Sequence, residues 1–213
     1  GVAQGDFGNS FVTNGTEKRP VATIIAPKLK NTLFLAAMTA IIAVPLAVGL
    51  GILTALKKNS LFDRLVNSTT LTTISMPEFF MAYLLLMLFS TKLRWLPGLS
   101  SVSGDMTWLG MIRVCALPAM TLTLVIVAHM MRMTRAAILN VLNVPYMEMA
   151  RFKGLTRRRM ILRHALPNAW APIANVVAFN LAYLIVGVVI VEVVFAYPGI
   201  GKLMVDSVST RDM

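Results

Sequence analysis

Long uncharged stretches alternate with short polar ones along this chain. Residues 31–56 contain no charged side chain, and further apolar runs cover about 66–90, 111–131 and 169–191. A bilayer core about 30 Å thick needs about 20 apolar residues in a helix, so each run is long enough to cross a membrane. Backbone polar groups in lipid must be satisfied within the segment, which favours helices. The pattern predicts an all-α, polytopic transmembrane helix bundle with four spans.

The polar segments between these runs are expected to lie outside the membrane. Residues 1–28 are mixed and polar, and Pro27 near their end favours a turn, so they are predicted to form an extracytoplasmic lead-in. Residues 29–213 form the predicted transmembrane domain. The stretch after residue 191 is moderately polar and is predicted to be extramembrane or re-entrant.

Composition and charge support a membrane protein and predict its orientation. Of the 213 residues 57% are hydrophobic and 14% are charged, and the mean hydropathy is +0.73, beyond that of an ordinary soluble domain. The net charge of +11 would suggest nucleic acid in a soluble protein. Here, however, three Lys and Arg residues lie in 57–64 and eight in 132–168. The positive-inside rule therefore explains the charge and places both loops in the cytoplasm, with no nucleic-acid partner.

The cytoplasmic loop 132–168 contains a charged block, residues 145–167. Pro145 favours the first turn of a short helix, Gly154 is suited to a left-handed position that closes it, and a second helix is predicted after it. Pro167 either ends that second helix or marks the start of the next span. The block is too polar to enter lipid, so its apolar face needs a protein surface. The alternative is an interfacial loop whose arginines set topology and contact anionic headgroups.

The charged block resembles the EAA loop of ABC importer permeases. That pattern is E-A-A, three residues, G, nine residues, I, any residue, L-P, and residues 148–150, Gly154 and residues 164–167 match its spacing. Met149 replaces the first Ala and His164 replaces Ile, but a His-Ala-Leu run is usual in the peptide-importer branch. The stretches GDFGNSF, SMPEFF and EVVFAYPGIGKLMV are similar to the same branch, and GDFGNSF resembles the first of its two permease subunits.

The resemblance implies a fold, a function and a set of partners. The fold would be that of a type I ABC importer permease with about six spans, so one span would precede Gly1 and one would follow Met213. The function would be to form the translocation path of an ATP-driven importer for di- or oligopeptides in the bacterial inner membrane. Nickel, glutathione and opine permeases share this branch and remain alternatives. The partners would be a second homologous permease, two cytoplasmic ATPases and a soluble substrate-binding protein in the periplasm or outside the cell.

The chain itself is expected to be non-catalytic and to bind no cofactor, because ATP and Mg would be held by the ATPase subunits. The sequence has no G-x-x-x-x-G-K-[ST] phosphate loop. The resemblance implies that the charged block forms coupling helices that dock in a groove on an ATPase. The predicted coupling residues are Glu148, Ala150, Gly154, Leu155, Arg157, Arg158, Arg159, His164, Leu166 and Pro167. Among these, Gly154 would set the angle between the two helices.

Two acidic residues are candidates for the translocation path. Glu78 lies near the middle of the second span, where an ionisable group is costly and indicates function, and it would contact the charged amino terminus of a peptide. The alternative is a carboxyl that is neutral or hydrogen-bonded to Ser75 or Thr73. Glu192 ends the fourth span beside residues 197–199 and would line the outer vestibule or meet the binding protein, unless it only stabilises a turn.

Two other classes of protein fit the sequence less well. An intramembrane enzyme would use Glu78 and His129, but these lie at different predicted depths and no nucleophile motif accompanies them. An ion-coupled secondary transporter would often show internal repeats, which are not seen here. No group of Cys and His residues suggests a metal site, and Cys115 is the single cysteine.

Overall fold

The computed structural model describes residues 21–102 and 106–210, so most of the predicted lead-in lies outside the described residues. Every regular element in these ranges is helical, as predicted. The helices are α1 (Val21–Leu56), α2 (Leu61–Ser75), α3 (Glu78–Leu85), α4 (Trp108–Leu142), α5 (Pro145–Phe152), α6 (Arg157–Met160), α7 (Leu166–Val194) and α8 (Ile200–Thr210). A π-helical segment, Leu86–Lys92, continues α3, and another, Ile161–Ala165, joins α6 to α7.

Within the described residues, three helical runs are long and apolar enough to cross a membrane: Val21–Leu56, Trp108–Leu142 and Arg158–Val194. The first begins well before the predicted start at residue 31, so the turn predicted at Pro27 is wrong. A long apolar helix tolerates the loss of the one backbone hydrogen bond that a proline cannot donate. The helix Trp108–Leu142 also extends past the predicted end at residue 131, into the segment 132–168 that was predicted to be a cytoplasmic loop.

The span predicted over 66–90 is two helices rather than one. Met76 leaves the helical conformation, with φ −97° and ψ 134°, because the ring of a following proline disfavours helical geometry. The chain bends by 106° at this break, and α3 then begins at Glu78. If the bent pair is counted as one span, the described residues contain up to four spans.

The chain packs as two compact units. Unit 1 comprises the described residues within 1–39, 78–122 and 185–213, and unit 2 comprises 40–77 and 123–184. The core of unit 2 is built from small and aliphatic side chains, namely Ala55, Ile138, Met147, Ile161, Ala165, Ala169 and Ile173. The core of unit 1 includes larger side chains, among them Leu35, Leu117, Leu122, Phe195 and Tyr197.

Candidate functional site

The charged block folds as a helix, a glycine turn and a second helix, as predicted. Helix α5 begins at Pro145, and Gly154 follows it with φ +76°, in the left-handed region that glycine adopts most readily. Helix α6 begins at Arg157 and runs through the π-helical segment into α7. Pro167 therefore lies in the first turn of the next helix, which decides between the two positions predicted for it.

The charged block has a buried side and an exposed side. Met147 and Ile161 are fully buried in the core of unit 2. Phe152 is 85% exposed, and Met149, three residues before it, is also exposed. Side chains three apart share a helix face, so α5 presents a small apolar surface to its surroundings. Phe152 was not among the predicted coupling residues, although its spacing from Met149 was a usable signal.

The predicted coupling residues are spread over the charged block. Exposed positions are Glu148, Gly154, Arg158, Arg159 and Pro167, and partly buried ones are Leu155, His164 and Leu166. Ala150 lies in α5 and Arg157 begins α6. His164 belongs to the π-helical segment, where its carbonyl accepts a hydrogen bond from the Asn168 amide at 2.7 Å.

A cavity of about 610 Å³ opens between the charged block and its neighbours in unit 2. Its lining residues are Lys58, Leu139, Leu142, Asn143, Met147, Glu148, Leu155 and Met160. Three segments therefore meet at this cavity: the turn between α1 and α2, the end of α4, and the charged block. The apolar lining side chains are accompanied by a cation, an amide and a carboxylate.

An ion pair that the sequence did not predict joins α2 to α4. Asp63, in the first turn of α2, is only 4% exposed. Its carboxylate accepts two hydrogen bonds from Arg135, from Nε to Oδ1 at 2.9 Å and from Nη2 to Oδ2 at 2.8 Å. The backbone N–H of Asn59 donates to Oδ2 at 2.9 Å, and the Asn67 amide donates to Oδ1 at 2.7 Å. The sequence offered one signal, a lone acid in a basic loop.

Glu192 lies fully buried in unit 1. Its Oε1 accepts the Thr32 hydroxyl at 2.5 Å, and its Oε2 accepts the Lys202 backbone N–H at 3.1 Å. The Thr32 oxygen in turn accepts the Ile200 N–H at 2.9 Å. Both N–H groups belong to the first turn of α8, so Glu192 and Thr32 together cap this helix. These contacts favour the turn-stabilising alternative, and a path role for Glu192 stays a prediction.

The turn between α7 and α8 is also hydrogen-bonded to the first part of α1. The Asn31 amide donates to the Pro198 carbonyl at 3.0 Å, and the Tyr197 hydroxyl donates to the Asn31 carbonyl at 2.8 Å. Burial raises the pKa of Tyr197, so its phenol stays protonated and keeps this bond. A side chain at Gly199 would overlap the Glu192 carboxylate, so only glycine fits this position.

Glu78 begins α3, directly after the break in the second predicted span. A Cβ atom placed on Gly187 of α7 would lie 3.2 Å from its Oε2, so the carboxylate packs closely on α7 at a glycine. The Ser75 and Thr73 hydroxyls each donate to a main-chain carbonyl four residues earlier in α2. Those two hydroxyl protons are directed to α2 itself, and both the path role of Glu78 and its alternative stay predictions.

Comparison with known proteins gives a family match and several relatives. Residues 47–213 match the family described as "binding-protein-dependent transport system inner membrane component". The chain is similar to the glutathione transport system permease protein GsiC of Escherichia coli strain K12, Salmonella typhimurium strain LT2 and Shigella flexneri serotype 5b. Each is 38% identical over 211 residues, which cover 99% of this chain and 65% of the relative. The matched part contains the charged block, the break before Glu78 and the capped helix α8.

Proposed function

Because the chain belongs to the family of binding-protein-dependent inner-membrane transport components, we propose that it is a permease subunit of an ATP-driven importer and forms part of its translocation path. It is a multi-pass protein of the inner membrane. The observation that carries the proposal is the exposed helix, glycine turn and helix at 145–167, which lies within the family match. Its geometry is suited to docking on another protein.

The proposed partners follow from this role. A soluble binding protein delivers the cargo, a second homologous permease completes the path, and two cytoplasmic ATPases hold ATP and Mg. The chain itself is then non-catalytic and binds no cofactor. The face of α5 that carries Met149 and Phe152 meets the ATPase, since large exposed apolar side chains on a charged segment mark a protein contact. The arginines at the start of α6 flank that contact, and Gly154 sets the angle between the two helices.

Di- and oligopeptides are the proposed cargo, with glutathione the first to test. The support is the 38% identity to proteins named as glutathione permeases, because glutathione is itself a tripeptide. Nickel and opines are the other cargo classes that the test includes. The Glu78 carboxylate, held at the start of α3 beside Gly187, is proposed to contact the amino terminus of the peptide.

The proposal is tested by reconstituting the full-length permease with the components that co-purify from its native membrane. We expect an ATPase and a second permease in comparable amounts, and glutathione or dipeptide uptake that requires both ATP and the binding protein. Uptake that proceeds without ATP and follows an ion gradient would instead make the protein a secondary transporter. Uptake of nickel but not of peptides would retain the importer and change its cargo.

Substitutions at Gly154 test whether the charged block couples ATP to transport. A Cβ atom here meets no atom within 4 Å, so any defect must come from the backbone φ of +76°. Valine tolerates that conformation poorly and asparagine much better. We expect Gly154→Val to lose most ATP-driven uptake at a normal membrane level and Gly154→Asn to keep most of it. Normal uptake by the valine variant would contradict a coupling role.

The proposed contact of Glu78 is tested in the same uptake assay with matched peptides. Glu78→Gln is expected to raise KM for a dipeptide with a free amino terminus and to leave KM for the N-acetylated dipeptide little changed. Only the free amino terminus is a cation, so only that dipeptide loses an ionic partner when the carboxylate is removed. An equal effect on both peptides would show that Glu78 does not contact the amino terminus.

A further inference from the structure

The Asp63–Arg135 ion pair is built more completely than an ordinary surface pair. The two side chains are only 5% and 21% exposed, and the guanidinium contacts both carboxylate oxygens. A buried charge is costly unless it is paired and its remaining lone pairs are satisfied. Here Asn59 and Asn67 supply the further hydrogen bonds. The position of the Asp63 carboxylate is therefore fixed from several directions.

On one side, Asp63 fixes the turn between α1 and α2. Its Oδ2 accepts the N–H of Asn59, which has φ +67°, and its own N–H donates to the Ser60 hydroxyl at 3.2 Å. The same turn carries Lys58, which lines the cavity beside Glu148 and Leu155 of the charged block. The ion pair thus sets where one wall of the cavity lies.

On the other side, Arg135 belongs to α4, whose last residues form the second wall of the same cavity. Leu139 and Leu142 line it, and α5 begins three residues after Leu142, at Pro145. Any displacement of the charged block therefore reaches α4 through a connection of only two residues. A displacement passes less directly from α4 to the α1–α2 turn, because close-packed atoms transmit a shift and empty space does not. The end of α1 packs on α4 through the core residues Ala55 and Ile138, whereas the cavity lies between Lys58 of the turn and Leu139 and Leu142 of α4. The ion pair adds a direct bond from α4 to α2, which follows the turn.

We propose that Asp63 and Arg135 are positioning residues that make the α1–α2 turn follow α4 when the charged block is displaced by the ATPase. The inference rests on the proposed function and adds a second connection between the charged block and the spans. Neither residue touches cargo or ATP. Without the pair, the turn follows α4 only through the apolar core around Ala55 and Ile138, so part of the displacement is absorbed at the cavity and ATP is hydrolysed with less transport.

The test uses the complete transporter in liposomes and measures cargo moved per ATP hydrolysed. Asp63→Asn is expected to keep its ATPase rate and to lower cargo per ATP by about 3-fold or more. Arg135→Lys, which keeps the charge but loses the bidentate geometry, is expected to give an intermediate ratio. A double variant that carries both Asp63→Arg and Arg135→Asp, and so exchanges the two charges, is expected to recover part of the lost cargo transport per ATP. The matched control is Asp206→Asn, which breaks the exposed Lys202–Asp206 pair and should leave the ratio unchanged.

The outcomes separate this inference from the proposed function. If the wild-type complex shows no ATP-driven uptake, both are overturned. If the wild type is coupled and Asp63→Asn moves as much cargo per ATP, only the positioning role is overturned. A proportional fall in uptake and ATPase rate with an unchanged ratio, together with a lower Tm, would reduce the pair to a folding role. If the Asp63→Asn complex does not assemble, cargo moved per ATP is measured on Arg135→Lys instead, and an unchanged ratio there overturns the positioning role.

Discussion

Single buried polar side chains connect parts of the chain that lie far apart in sequence. Asp63 binds Arg135, and Glu192 binds Thr32, which lies 160 positions before it. Such groups are stable in a protein interior only when their hydrogen-bonding capacity is used. In a chain that is 57% hydrophobic, these few contacts fix how helices with similar apolar surfaces are aligned.

The cap on α8 predicts a clear difference between two glycines. Gly199→Ala would place a methyl group on the Glu192 carboxylate, and the resulting shift should cost about 1–3 kcal/mol. Gly49→Ala is the matched control, because its Cβ meets no atom within 4 Å and alanine favours helix. Thermal unfolding of the full-length protein in detergent is expected to show a lower Tm for Gly199→Ala only. Equal Tm values would mean that the turn rearranges freely.

At the scale of the helices, length and surface distinguish the elements that cross the membrane from those that do not. Helix α5 has eight residues and α8 has eleven, so neither is long enough to span a bilayer. Helix α5 packs on its unit through Met147 and exposes Met149 and Phe152. Helix α8 packs on its unit through Gly201 and exposes Met204 and Val208. The break at Met76-Pro77 makes α2 and α3 short as well, for a local steric reason.

The exposed face of α5 yields a binding prediction. Phe152→Ala removes an aromatic side chain that is 85% exposed on this helix and, if α5 docks on an ATPase, should weaken ATPase binding by about 10-fold. Phe179→Ala is the control, since Phe179 is 65% exposed on α7 within a predicted span. Titration of the permease in nanodiscs with a purified ATPase subunit measures both variants. An equal loss of affinity, or none, would place the docking surface elsewhere.

At the scale of the whole molecule, the distribution of charge predicts orientation. Eleven Lys and Arg residues lie in the loops predicted to be cytoplasmic, against eight on the other side, in the segments before residue 31, over 91–109 and after residue 191. Cys115, the single cysteine of this sequence, is buried, so these 213 residues give little background in thiol labelling.

Two exposed positions test this orientation with an impermeant thiol reagent. Leu99→Cys, in the loop after α3, is expected to react in intact cells, and Lys153→Cys, in the charged block, only after the inner membrane is opened. Ser100, which is buried next to Leu99, gives the accessibility control as Ser100→Cys. The reverse pattern would invert the topology and remove the charged block from the ATPase side.

The amino-acid sequence by itself determined the features that depend on near neighbours. Apolar runs of sufficient length predicted the helical class, and Pro145 and Gly154 predicted the helix, turn and helix of the charged block, because proline and glycine act on the backbone where they stand. Local signals were insufficient for Pro27, whose effect was outweighed by the long apolar helix around it. Phe152 has a helical spacing from Met149 that marks a shared face, but it lies outside the motif on which the predicted coupling residues were based.

Only the tertiary structure decided which distant groups meet. The pairing of Asp63 with Arg135 spans 72 positions, and the cap that Glu192 and Thr32 place on α8 joins residues up to 168 positions apart. No periodicity or turn signal specifies such partners, because each acid has several basic or polar candidates along the chain. The partner is chosen by how the helices pack, since an acid removed from water must find its hydrogen bonds in whatever lies beside it.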